Sequence, residues 1–144
     1  MTYLAFDYGL KRVGVAVGDV ITGTARPLPT INVGGEVDWK LLLALIGEWR
    51  PEAAIVGLPL DDDGSEQPMT TAARRFAEEL GRRAGIPVHL ADERYSSRAA
   101  DDALRDARAS GRMTRRVRKG DRDGEAARVI LEQWMATHPK RGAP

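Results

Sequence analysis

Up to about Val33 the apolar positions recur with a period of two, and beyond it the chain switches between short apolar runs and a helical period. Tyr3-Leu-Ala-Phe-Asp7 is an apolar run closing on Asp-Tyr-Gly, which predicts a buried strand entering a turn. Arg12 to Gly18 predicts a second strand with Val13, Val15 and Val17 on one face. Gly14, Ala16 and Gly18 fall on the other face and leave room for another backbone or a ligand. Ile21 to Val33 predicts a third strand, and Pro27 and Pro29 place it at a sheet edge. Short links between the three predict an antiparallel meander.

Asp38 can cap a helix in which Trp39, Leu42, Leu43, Ile46 and Trp49 share a face and which Pro51 follows. Ala53 to Leu58 is continuously apolar, as in a strand covered on both sides. A loop at 59–67 precedes a predicted helix at 68–84 with Ala73, Phe76, Ala77 and Leu80 on one stripe, stopped by Gly85 and Pro87. Pro87 to Ala91 predicts a strand, and two helices follow at about 97–109 and 124–137, the last turning Ala127, Ile130, Leu131 and Trp134 inward. The order βββαβαβαα predicts an α/β fold: a mixed five-stranded sheet, a three-stranded antiparallel meander plus parallel strands, with helices on its faces. Residues 1–138 are expected to form a single domain, with a frayed tail at 139–144.

Composition narrows the chemistry. With no cysteine, disulfides, thiolate nucleophiles and sulfur-ligated zinc are excluded. The apolar runs are far short of the roughly 20 residues of a membrane span, and the amino-terminal segment lacks the pattern of a signal peptide, so a cytoplasmic location without membrane partners is the expectation. The net charge of +1 conceals an uneven distribution: Arg108 to Arg122 holds seven basic residues and one acid, Asp121. Such a segment suits contact with a nucleic-acid backbone.

Asp7 ends the first strand, Glu93 follows the last, and Asp123 begins the last predicted helix. Singly, each is an ordinary turn or cap residue. Together they fall where ligands collect in open α/β sheets, beyond the strand ends. Two carboxylates about 5 Å apart repel by roughly 3 kcal/mol at an effective dielectric near 20, so a cluster of three calls for a cation. All-oxygen ligation selects Mg²⁺ or Mn²⁺, the ions that serve phosphodiester cleavage without histidine or cysteine.

Asp7-Tyr-Gly-Leu-Lys-Arg-Val-Gly-Val-Ala-Val-Gly-Asp19, Val56-Gly-Leu-Pro-Leu60 with Asp63-Gly-Ser-Glu-Gln-Pro68, and Asp92-Glu-Arg-Tyr-Ser-Ser97 together resemble the successive motifs of the YqgF/RuvX family, from about residue 3 to residue 135. Its members are RNase H-like proteins described as Holliday-junction resolvases or as nucleases trimming the 5′ end of precursor 16S ribosomal RNA. The resemblance implies an RNase H-like fold and a nuclease of structured RNA or branched DNA. It also implies Asp7, Glu93 and Asp123 as metal ligands. Around the third acid this chain departs from the family pattern, reading Asp121-Arg-Asp123-Gly-Glu125; alignment through Lys119-Gly120 favours Asp123, with Asp121 in reserve.

Lys11, Arg12 and Arg94 are candidate phosphate contacts beside the acids; a solvated turn or a structural salt bridge is the competing role for each. Arg115, Arg116, Arg118 and Lys119 are candidate backbone contacts in the basic segment. Ser96 and Ser97 read as helix caps, Tyr8 and Tyr95 as core residues with stacking on a base as the competing role, His89 as packed within its strand and His138 as exposed. Two other classes are open to the same residues. One is a non-catalytic nucleic-acid-binding module; the other is an actin-like ATPase or sugar-kinase type nucleotide binder, whose phosphate hairpin has a similar Asp-x-Gly design. Monomer and homodimer are both compatible with the sequence.

Overall fold

The computed structural model describes residues 1–60, 63–92 and 119–138, and of 119–122 the backbone alone. Five strands form one sheet: β1 (Thr2–Tyr8), β2 (Arg12–Asp19), β3 (Thr24–Asn32), β4 (Ala53–Leu58) and β5 (Val88–Asp92). Their order across the sheet is β3-β2-β1-β4-β5. β1, β2 and β3 pair antiparallel, whereas β4 and β5 continue from β1 in parallel. The helices among the described residues are α1 (Trp39–Trp49), α2 (Pro68–Ala84) and α3 (Lys119–Thr137).

Strand alternation sorts the core into two layers. Leu4 and Phe6 of β1 and Val13, Val15 and Val17 of β2 pack with Leu42 of α1 and with Phe76, Ala77 and Leu80 of α2. On the opposite face Ala5 and Ile55 meet Ile130, Leu131 and Met135 of α3. Helices therefore cover both faces, as the sequence predicts. The apolar run of β4 is buried at all six positions, because it lies inside the sheet with a helix over each face.

Local signals act where expected. The Asp38 carboxylate accepts a hydrogen bond from the Leu41 backbone N–H at 3.2 Å and starts α1. Gly85, with φ of 67°, ends α2 in the left-handed conformation that favours glycine. β3 is an edge strand, in keeping with Pro27 and Pro29. Its start is corrected from Ile21 to Thr24: Asp19 accepts from the Ile21 and Gly23 backbone N–H groups and folds that stretch into a turn, leaving Ile21 72% exposed.

The second correction concerns α3, which begins at Lys119 and not near residue 124. Asp123 is consequently inside the helix rather than at its cap. Gly124 is not a breaker here; it is a point of close packing, since a Cβ on it would lie 3.0 Å from the Pro27 Cβ. The predicted helix at 97–109, most of the basic segment at 108–122, and the tail at 139–144 lie outside the described residues.

Candidate active site

Glycine on the small-residue face of β2 lets a helix lie almost directly on the strand. A Cβ on Gly14 would fall 2.6 Å from the Asp123 carbonyl carbon, and one on Gly18 would fall 2.9 Å from Leu131 Cδ2. Four residues of strand span about 13 Å, and the eight helical residues from Asp123 to Leu131 span about 12 Å, so α3 runs along β2 in the same direction. The opening left by Gly14, Ala16 and Gly18 is thus filled at both ends by helix.

This contact brings Asp123 to Asp7. Gly14 is the antiparallel partner of Asp7, and directly paired residues project to the same face of a sheet. Asp7 also shares the alternation of Ala5, which packs under α3. Two acids separated by more than a hundred residues therefore stand on one face around a residue without a side chain. Between Val13 and Val15 the pairing with β3 shifts register, placing an irregularity beside the site.

Arg12 completes the described part. Its Nε donates to Asp123 Oδ2 at 3.0 Å, with both side chains about one-third exposed or less. Lys11 is exposed in the turn before it, and its carbonyl accepts from the Val33 N–H at 3.0 Å.

Asp7, Leu58 and Asp92 lie toward the same end of the sheet, with Leu58 the register partner of Asp92. Glu93 is the next residue in sequence. Glu93, Arg94, Tyr95, Ser96, Ser97, Arg115, Arg116 and Arg118 lie outside the described residues, as do the side chains of Lys119 and Asp121. Among the described residues no three His, Cys, Asp or Glu side chains converge as a metal site. The two acids that are described supply only carboxylate oxygen, the donor that suits a hard divalent ion.

Glu125, the third acid of the 121–125 stretch, is committed elsewhere. Arg128 Nε donates to both of its carboxylate oxygens, at 3.1 and 2.9 Å, while Arg128 Nη1 reaches Glu132 Oε1 at 2.8 Å. Burial lowers the Arg128 pKa, but Glu125 and Glu132 together outweigh it and hold the guanidinium above its ordinary value. Glu132 Oε2 in turn accepts from the Ala25 N–H at 2.9 Å, tying the edge strand to α3.

Tyr8 stacks on Phe76, with ring centroids 5.1 Å apart, as expected of a core residue. His89 packs within β5 by stacking on Trp134, as expected, and its other side is exposed, the strand being at the edge of the described sheet. His138 is exposed and stacks on the same indole at 4.5 Å. One feature carried no signal in the local pattern. Thr70, fully buried, donates its hydroxyl to the Pro59 carbonyl and accepts from the Gln67 N–H, closing the loop between β4 and α2.

The model of the family described as "RuvX: Holliday junction resolvase" matches residues 1–137. The chain belongs to the RuvX family. Among its relatives, a protein of Burkholderia vietnamiensis is 48% identical over 135 residues, covering 93% of this chain and 88% of the relative. One of Escherichia coli O7:K1 is also 48% identical over 135 residues, covering 93% of this chain and 95% of the relative. Both carry the name "Putative pre-16S rRNA nuclease". Two solved structures share the fold of this RuvX-family chain. Thermus thermophilus RuvC, in complex with a Holliday junction substrate, superposes with a TM-score of 0.60 at 17% identity, covering 96% of each chain. The yeast mitochondrial Holliday junction resolvase Ydc2 gives 0.53 at 12% identity, over 92% of this chain and 77% of that one. The sheet and helices are therefore those of the RuvC-like RNase H fold.

Proposed function

We propose that this RuvX-family protein is a metal-dependent phosphodiester hydrolase of structured nucleic acid, and that its substrate is the 5′ end of precursor 16S ribosomal RNA. One observation carries the reading: Asp123 rests on Gly14, the strand partner of Asp7, so two of the three expected acids share one face. Glu93 is the third, placed by sequence immediately after Asp92. Asp123 is taken as the ligand of the 121–125 stretch because it is the acid seated over Gly14, whereas Glu125 is bound by Arg128 further along the helix.

Asp7, Glu93 and Asp123 would hold Mg²⁺ or Mn²⁺, which would supply an activated water and charge stabilisation at the leaving oxygen. The protein's own part is to gather the carboxylates and to hold the substrate backbone. Arg94, Arg115, Arg116, Arg118, Lys119 and Lys11 neutralise phosphates around the acids. The enzyme acts in the cytoplasm; no helix among the described residues is long and apolar enough to cross a membrane.

The names of the curated relatives favour ribosomal RNA as substrate. A second substrate, branched DNA, is favoured by the description of the matching family. Incubation with precursor 16S RNA and with a four-way DNA junction in Mn²⁺ decides between them. RNA trimming by the wild type and none by Asp7→Asn is the expected outcome. Junction cleavage alone would transfer the function to DNA, and equal activity of wild type and Asp7→Asn would remove the assigned site. Metal-insensitive, salt-sensitive binding without product would mark a binding module, and tight ATP binding would mark a nucleotide binder.

A further inference from the structure

We infer that Arg12 is the resident counter-ion of the acidic site, competing with the divalent cation for Asp123 and cooperating with it in holding the substrate phosphate. The inference rests on the proposed metal site and adds a role for a residue outside the ligand set.

The Arg12 guanidinium spends only Nε on Asp123. A guanidinium has five N–H donors in a planar fork, and among the described residues Nη1 and Nη2 have no hydrogen-bond partner. The side chain is 27% exposed, so the guanidinium is not sealed in the core. Arg12 also stands on the same face of β2 as Gly14, two residues away, which puts it beside the seat of Asp123. One part of the group is thus engaged with a carboxylate, and the other is placed to donate to an anion arriving at the same acids.

Two effects of opposite sign follow. A positive charge bonded to Asp123 neutralises the carboxylate that the divalent cation needs, and it repels that cation. Once a phosphate bridges the site, the same charge becomes favourable, because the arginine fork matches phosphate oxygens. Arg12 is therefore a positioning residue that weakens metal uptake by the free protein and strengthens binding of the substrate. A residue that merely maintained the fold would weaken both when removed.

The test uses the full chain, with Mn²⁺ titrated calorimetrically in the absence of nucleic acid. RNA binding is then measured in Ca²⁺. Arg12→Gln is expected to bind Mn²⁺ about 3- to 10-fold more tightly than wild type. It is expected to bind structured RNA about 10-fold more weakly, with Arg12→Lys between the two. Unchanged or weakened Mn²⁺ binding by Arg12→Gln overturns the inference. A metal-free control keeps its failure separate from that of the metal site. In EDTA, melting temperatures of wild type, Arg12→Gln, Asp123→Asn and the double variant form a cycle that is expected to be non-additive. Additivity there overturns the Arg12–Asp123 pairing whatever the metal does. Absence of Mn²⁺ uptake by wild type, with the cycle still non-additive, overturns the metal-site reading and with it the competition.

Discussion

Gly14 and Asp123 meet main chain to main chain, the strand residue giving up its side chain so that the helix residue can occupy the space above it. The relationship is steric before it is chemical, and the position of the acid follows from it. Any side chain at residue 14 must displace α3, because the nearest atoms are backbone and cannot rotate away.

Gly14→Ala is therefore expected to cost about 1–3 kcal/mol of stability, the usual range for overpacking. Cleavage should fall further than the loss of folded protein explains, because Asp123 moves with its helix. Gly34→Ala is the control: a Cβ there meets nothing within 4 Å, and the change is expected to stay within about 0.5 kcal/mol. Urea denaturation of both variants, paired with initial cleavage rates, checks this.

Thr70 is expected to matter through its hydroxyl and not its bulk. Thr70→Val leaves the Pro59 carbonyl and the Gln67 N–H without their buried partner and should cost about 1–3 kcal/mol. Thr70→Ser should recover most of the loss. Thermal melts of the pair measure the difference. The loop concerned leaves β4 toward the Asp7 end of the sheet, so Thr70→Val should also slow cleavage.

Removal of Arg128 should strand two carboxylates. Glu125 and Glu132 both depend on this guanidinium, which is 22% exposed, so Arg128→Met is expected to lose about 1–3 kcal/mol. With its pKa raised, Arg128 is charged at every working pH, and the loss should be the same at pH 6 and pH 8. Chemical denaturation at the two pH values tests both statements.

The sequence makes much of this arrangement visible because many of its determinants are local. Val13, Val15 and Val17 alternate with Gly14, Ala16 and Gly18, which is enough to tell a packed face from an open one. Asp38 and Gly85 bound their helices through side-chain and backbone geometry within a few residues. The start of α3 was not legible, because Gly120 and Gly124 resemble breakers until Pro27 is seen against Gly124. Nor could the bond from Arg12 to Asp123 be read, since it spans 111 residues and neither partner's neighbours signal the other. Thr70 is similar: a threonine in the first turn of a helix looks like an ordinary helix-start residue, and only burial shows that it secures the preceding loop.

The basic segment should reveal itself through salt. If Arg115, Arg116 and Arg118 each contact a phosphate, replacing all three with alanine should reduce the slope of log affinity against log salt by about 2 to 3, near 0.9 per contact on duplex and 0.7 on single strands. Filter binding across a salt series measures this slope. An unchanged slope would assign those arginines to a solvated surface.

The most direct test of the site is a Mn²⁺ titration of wild type against Asp7→Asn, Glu93→Gln and Asp123→Asn, each shown to be folded by its melt. The expected result is measurable uptake by wild type and its loss, by at least about tenfold in affinity, in all three variants. Uptake by Glu93→Gln equal to that of wild type would contradict the proposed convergence of the three acids on one ion.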